Sequence, residues 1–331
     1  MDVGIIQFKQ TTEQNILRGG GIYERNIYDA IHDEFSTEFR GVYVPRHRFK
    51  LLRLYGLVRN ILNFAGGSDI WIRDFKSTAT MSYDKTSGKT VSVFHHYDPS
   101  VFSWANKKLY QILLRKFISN AKHIEAVVTV SDYWKDYLIR NEINNVVKIP
   151  NAFNFGDFIF EDAEISAFKT SHGLDEDRPI VYLGNCQEAK GAVQAYRALK
   201  DMDAYLVTSG SREVEIPAIH LELNYLDYLR LLESSNVAVT MSLFEEGWCR
   251  TAHEAMLCGT PVIGSGRGGM KELLEGGSQI VCENFSVLPW YVESVLQDQK
   301  LGELGYQYAH QEQFSLDYFK RKWLDLIREV I

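Results

Sequence analysis

Two glutamates with seven residues between them, in FEEGWCRTAHEAMLCGTPVI (244–263), carry the most readable chemistry of this chain. Glu246 lies in the loop after the apolar run VAVTMS, and Glu254 lies one turn into a helix that begins near Cys249. A helix N-terminus offers unpaired N–H groups and partial positive charge, which suits phosphate. Gly247 lets a ligand approach the backbone closely. A carboxylate one turn in can accept both hydroxyls of a ribose diol, and a second in the loop can hold hydroxyls of a sugar beyond the phosphates. The spacing therefore fits a nucleoside diphosphate joined to a sugar. It also fits something blander, one Glu capping its own helix and the other solvated.

The elements that would position these groups follow from pattern. Strands are expected at VGIIQF, GVYV, DIWI, TVSVF, AVVTV and VVKI, with amphipathic helices around 22–34, 49–64 and 104–120. Six more are expected at PIVYL, AYLVT, AIHLE, VAVTM, PVIG and QIVC, and the pattern is helical from about Ser286 onward. Strict alternation of strand and helix implies parallel sheets covered on both faces, hence an α/β fold of two Rossmann-like domains. Ligands of such sheets bind at the carboxyl ends of the strands, which places the expected site in a cleft between the domains. After VAVTM, the residues Ala252, Ala255, Met256 and Gly259 form one packed helix stripe. Gly259 suits the left-handed position beyond the helix, and Pro261 prevents its continuation.

At 331 residues, 45% apolar and 24% charged, the chain is long enough for two domains. The expected boundaries are 1–155, 156–310 and a C-terminal helical segment 311–331 crossing back to the first domain. Residues 1–155 hold 21 Lys and Arg against 15 Asp and Glu, while the remainder holds 15 against 28. A basic half should attract something anionic. MDVGIIQFKQ lacks a basic segment followed by an apolar core, so no secretory leader is read there, and no apolar run of about 18 residues suggests a span. Cys186, Cys249, Cys258 and Cys282 lack metal-ligand spacing and read as buried free thiols of a cytoplasmic protein. The acidic pair Asp201 and Asp203 precedes its strand, so it points away from the expected site, and no metal is expected.

The run from Glu246 to Glu272, including SGRGGMKE, resembles the nucleotide-binding motif of family 4 glycosyltransferases, enzymes of the GT-B fold. Weaker likeness follows in the family's order: RGGGIYERN, VFHH, TVSDYWKDYL, VVKIPNAF and GNCQEAKG. The resemblance implies that Glu246 holds the donor sugar, Glu254 the ribose, and Lys190 the departing diphosphate. It places Gly20 and Gly21 in a loop near the donor phosphates and His95 beside the reacting sugar, with His96 as the fallback. Asn185 and the run Gly247, Trp248, Cys249, Arg250 and Thr251 complete the implied donor site. The implied reaction moves a sugar from a nucleoside diphosphate donor, a UDP-sugar rather than a GDP-sugar, to an acceptor hydroxyl. Retention of configuration is implied, with no metal and no cofactor.

Three positions depart from the family pattern. Asn185 stands where an Arg usually accompanies the phosphate lysine, and a lost charge-assisted contact costs about 1.5–3 kcal/mol. Arg250 or Arg267 is expected to compensate. Cys249 replaces a common second Gly, and Ala152 replaces an interdomain Gly. Asn185 also motivates a rival reading, an inactive homologue serving as a partner subunit. Another GT-B enzyme, such as a nucleotide-sugar epimerase or a phosphorylase, is a further rival. No first strand runs into Gly-x-Gly-x-x-Gly, which disfavours a dehydrogenase. RHRFKLLRLYGLVRNILNF (46–64) and WANKKLYQILLRKFISNAK (104–122) are basic and amphipathic. They fit either sheet-covering helices or peripheral contact with the inner face of a membrane, as a carbohydrate acceptor carried on a lipid would require. Nucleic acid is disfavoured, because the basic helices are Leu-rich and the remaining surface is acidic.

Overall fold

A computed structural model describes residues 1–10, 19–45, 48–100, 104–174, 177–298 and 300–331. Arg18, Arg46 and His47, which belong to motifs singled out above, lie outside the described residues. The chain divides into two compact units, Met1–Ala152 with Leu316–Ile331, and Phe153–Ser315.

In the first unit the order is β1 Asp2–Gln10, α1 Gly19–Ile31, β2 Ser36–Val44, α2 Lys50–Asn63, β3 Ala65–Arg73 and α3 Phe75–Thr80. It continues with β4 Lys85–Phe94, α4 Trp104–Ala121, β5 Ala126–Thr129, α5 Asp132–Arg140 and β6 Val146–Lys148. All six strands are parallel, in the order β2-β1-β3-β4-β5-β6. Strands β2, β3 and β4 start several residues earlier than hydropathy suggests. Their first halves, such as AGGSD of β3, are mostly polar or half-exposed, so pairing rather than burial extends them. The carboxyl halves of β3 and β4 are buried, as in Ile70, Trp71 and Ile72, whereas β2, at the sheet edge, buries only Val42.

The second unit holds α6 Asp162–Ser171, β7 Ile180–Asn185, α7 Ala192–Leu199, β8 Tyr205–Ser209, β9 Ile219–Leu221, α8 Tyr225–Ser234 and β10 Val237–Thr240. It continues with α9 Arg250–Leu257, β11 Val262–Gly264, α10 Met270–Gly276, β12 Ile280–Val281, α11 Leu288–Gln297 and α12 Lys300–Ala309. Its parallel sheet runs β12-β11-β10-β7-β8-β9. The order reverses between β7 and β10, because successive strands add outward on both sides of that pair. Such a switch point opens a crevice at the carboxyl ends of its two strands. A core of Val181, Leu183, Leu206, Val237, Val239 and Ile263 lies under α7 and α11.

The last helix, α13 Leu316–Val330, returns to the first unit and packs on α1. Trp323 and Phe319 are fully buried there and meet the Tyr23 ring edge to face at 6.4 and 5.1 Å. Lys320 and Arg328 pair with Asp33 and Glu34, and Lys89 donates to the carbonyls of Val330 and Ile331. All four cysteines are buried free thiols. Among the described residues no helix is long and apolar enough to cross a membrane. Replacing Trp323 with Ala should destabilise the first unit by about 3–5 kcal/mol, as for other buried Trp truncations. Urea unfolding followed by circular dichroism would show the midpoint fall.

Candidate donor site

Two loops flank the switch point of the second unit, and the chain ties them together. The loop after β7 ends in the 3₁₀ turn Glu188–Lys190, and the loop after β10 carries Ser242 and Glu246. Leu243 N–H donates to the Ala189 carbonyl at 2.9 Å. Gly191 starts α7 with φ +73°, and a Cβ there would stand 2.2 Å from the Met241 carbonyl oxygen. Only glycine permits that approach and that dihedral together. On its far side the β10 loop pairs with the loop after β11. Glu246 N–H donates to the Arg267 carbonyl, and Gly269 N–H donates to the Glu246 carbonyl.

This frame brings Lys190 and Glu246, 56 residues apart in sequence, into contact: Lys190 Nζ lies 2.5 Å from Glu246 Oε1. Ser242 donates its hydroxyl to the same oxygen, also at 2.5 Å. Glu246 is 6% exposed, so its charge has little water to share. Burial alone would pull the Lys190 pKa down, but the Glu246 charge and its hydrogen bond outweigh this and hold the ammonium protonated.

Glu254 sits in α9, where it is 4% exposed. Arg250 Nη2 donates to its Oε1 at 3.1 Å, and the hydroxyls of Tyr225 and Tyr228 donate at 3.4 and 3.0 Å. Burial, and then the Glu254 charge, raise the pKa of both phenols, so both remain donors. Arg250 also lies over the Phe153 ring at 4.3 Å. Thr251 is half-buried and hydrogen-bonds Tyr228. The two tyrosines escaped the sequence reading, although their spacing of three on α8 puts them on one helix face.

The start of α9 is unusual. Cys249 takes a left-handed conformation, φ 71° and ψ 76°, which explains why glycine suits this position in the resembling family. Burial and the nearby Glu246 charge push its thiol up to about 12, so it is no nucleophile. The Trp248 indole turns into the core and donates to His253 Nδ1 at 3.0 Å, leaving only its backbone to face a ligand. His253 Nε2 faces the Ala309 carbonyl at 3.2 Å, which fixes the neutral tautomer. Burial lowers the His253 pKa to about 3. The α9 interior, expected as a single packed stripe, is buried from Ala252 to Leu257.

Arg267 is exposed and donates to the Leu243 carbonyl, and Arg250 is engaged by Glu254. Asn185 ends β7 with its side chain against Gly210. Asp203, in the turn before β8, pairs with Arg178, at the amino end of the strand. Among the described residues no group of three or more His, Cys, Asp or Glu side chains is arranged for a metal. In the first unit, Gly20 and Gly21 lie in the first turn of α1, not in a loop. A Cβ on Gly20 would be 3.7 Å from the half-buried His95 ring, which Tyr23 also meets edge-on at 5.0 Å. Burial, then the neighbouring His96, lowers the His95 pKa to about 3. His96 is exposed. A shallow pocket around Asp2, Ser68, Asp69 and Lys89 opens at the amino ends of β1, β3 and β4, the wrong end for a ligand of a parallel sheet.

Residues 164–311 match the family described as "Glycosyl transferases group 1". The matched stretch covers most of the second unit. No curated protein matches the sequence. Among solved structures, HepE from Anabaena, crystallised with UDP-glucose, superposes with a TM-score of 0.78 at 15% identity, covering 99% of this chain and 100% of that one. Sucrose-phosphate synthase from Thermosynechococcus elongatus gives 0.77 at 17% identity, covering 99% and 98%. WaaG, a glycosyltransferase involved in lipopolysaccharide biosynthesis, gives 0.67 at 13%, covering 98% and 99%. At these identities the likeness shows the fold. The chain has the α/β GT-B fold of glycosyltransferase enzymes.

Gly191→Ala should cost at least about 2 kcal/mol, since the added Cβ meets a carbonyl at a strained φ; chemical denaturation would measure it. The His253 geometry sets a pH dependence. Its folded pKa lies below the unfolded value of about 6.5, so its contribution is complete above that pH and declines as pH falls toward 3. The urea midpoint should drop between pH 7 and 4.5, with a shallower slope in His253→Gln.

Proposed function

We propose that the chain transfers a glycosyl group from a UDP-sugar to a hydroxyl of a carbohydrate acceptor, free or lipid-linked, with retention of configuration, as a family 4 glycosyltransferase of polysaccharide or glycoconjugate synthesis. The observation that carries this reading is the contact of Lys190 with Glu246 at the switch point, with Glu254 on the helix that follows the same β10 loop, inside the stretch that matches glycosyl transferases group 1. Lys190 stabilises the charge that develops on the departing β-phosphate, Glu246 holds hydroxyls of the donor sugar, and Glu254 takes the ribose diol. The bond from C1 of the sugar to the β-phosphate oxygen breaks, and a bond from C1 to the acceptor oxygen forms on the same face. The acceptor proton passes to a donor phosphate oxygen, and UDP leaves. The leaving-group charge falls to Lys190 and to the amide groups that start α9. His95, neutral near pH 7, serves in the acceptor-binding first unit as a hydrogen-bonding group rather than a cation. The buried free thiols fit a reducing compartment, and we place the reaction in the cytoplasm.

Asn185 supports one competing reading, a donor-binding partner subunit without turnover. Calorimetric titration with UDP-glucose, UDP-N-acetylglucosamine and GDP-mannose separates the two when joined to a transfer assay. One UDP-sugar should bind, and Glu254→Gln should weaken it roughly 10- to 150-fold through loss of charge-assisted hydrogen bonds worth about 1.5–3 kcal/mol. Lys190→Ala should lower kcat far more than it raises KM. Binding without transfer to any acceptor would favour the partner subunit. No binding of any nucleotide sugar to the folded chain would sink both.

A further inference from the structure

Glu254 meets more donors than a carboxylate that receives a diol can keep. Among the described residues, Arg250 Nη2 and the Tyr225 hydroxyl both reach its Oε1, and the Tyr228 hydroxyl reaches its Oε2. An ionised carboxylate offers about four lone-pair sites. Three donors on about four sites leave room for one more hydroxyl, whereas a ribose diol brings two. One of the three must leave as the diol arrives.

They are not held alike. Arg250 makes a charge-assisted bond at 3.1 Å, its side chain is 13% exposed, and its guanidinium lies over the Phe153 ring. Tyr228 donates at 3.0 Å, is half-buried, and meets the fully buried Tyr182 ring edge-on at 6.2 Å. Its hydroxyl also bonds Thr251. Tyr225 opens α8, is 45% exposed, and reaches Oε1 at 3.4 Å, well beyond the roughly 2.7–2.8 Å usual for a hydroxyl donor. The weakest bond thus belongs to the side chain freest to swing out. The Tyr225 phenol donates to Glu254 and accepts from Arg250. A ribose hydroxyl at the same point would make the same two bonds.

We propose that the Tyr225 hydroxyl holds the place of one ribose hydroxyl at Glu254 and is exchanged for it when the donor binds. The inference rests on the reading of Glu254 as the ribose ligand and deepens it, adding a residue that sets donor affinity and selectivity for the diol. Before exchange, Tyr225 keeps the carboxylate in the rotamer the diol requires. After exchange, Tyr228 and Arg250 still hold it, and the half-exposed phenol turns to water. Exchange therefore opposes binding by the worth of one hydrogen bond. A nucleotide that brings a single hydroxyl takes the remaining site and escapes that cost.

Calorimetric titration of the whole chain with UDP, 2′-deoxy-UDP and 3′-deoxy-UDP tests this. Tyr225→Phe keeps the ring and removes the competing hydroxyl, so it should bind UDP about two- to tenfold more tightly. Tyr228→Phe removes a donor that stays, so it should bind UDP more weakly by a similar factor. The native chain should lose little affinity for whichever deoxy analogue lacks the competing hydroxyl, and Tyr225→Phe should enlarge that loss. Weaker UDP binding by folded Tyr225→Phe overturns the proposal. Equal losses of about tenfold or more for both deoxy analogues on the native chain overturn it without any variant. UDP binding that Glu254→Gln weakens leaves the transferase reading standing in either case. Failure of UDP to bind the folded native chain removes both.

Discussion

The contact between Lys190 and Glu246 is the constraint around which the second unit is organised. It closes only if loops from β7 and β10 lie side by side, and the parallel order places those two strands next to each other at the switch point. Every local oddity nearby serves that approach. Gly191 has no Cβ because Met241 passes too close, Leu243 bonds Ala189, and the loop after β11 grips Glu246 from behind. A buried ion pair is weak evidence for stability, because desolvation offsets most of the attraction. Holding this one therefore falls to the surrounding backbone, and its value lies in the chemistry it presents.

The same logic extends to the helix that follows. The left-handed Cys249 turns the chain sharply into α9, and the buried Trp248–His253 pair anchors that turn from beneath. His253 can accept from Trp248 only while neutral, so burial and hydrogen bonding enforce one tautomer. Tyr225 and Tyr228 fix Glu254 from the neighbouring helix, which removes rotamer freedom a ligand would otherwise have to freeze.

Much of this architecture was legible from pattern alone. Each of the twelve expected strand segments contains strand, because β-branched runs bounded by helical intervals leave parallel pairing as the stable solution. The placement of Lys190 and Glu246 after strands, and of Glu254 on the helix that follows, was legible, because β-branched runs mark those strand ends. The supporting residues were not. His253 and Tyr228 look in sequence like ordinary positions on amphipathic helices, and only the packing of α8 and α12 against α9 gives them partners. The pairing of Arg250 with Glu254 was not legible either, because an i, i+4 contact leaves no separate mark from the Glu motif itself. The extended starts of β2, β3 and β4 were invisible because hydropathy reports burial, and those residues pair without being buried. The glycines of α1 suggested a loop, whereas Gly20 and Gly21 lie in the first turn of a helix, with room for a Cβ at Gly20 beside His95.

The charge arrangement raises a last physical point. The second unit belongs to the acidic part of the chain, and its two best-placed cations are each already held by a glutamate, Lys190 by Glu246 and Arg250 by Glu254. A diphosphate that takes the Lys190 ammonium strips Glu246 of its counter-ion. A buried carboxylate left so costs several kcal/mol unless other donors replace the lost one. Ser242 supplies one hydroxyl, and sugar hydroxyls are neutral groups able to supply the rest without adding charge. At Glu254, paired with Arg250, a neutral diol would likewise add donors without adding charge. A phosphate group alone solves half of this problem, because it satisfies the cation and strands the anion. A ligand carrying phosphate and hydroxyls at the right separation solves both halves at once, and the pairing of each cation with its own glutamate selects for that combination.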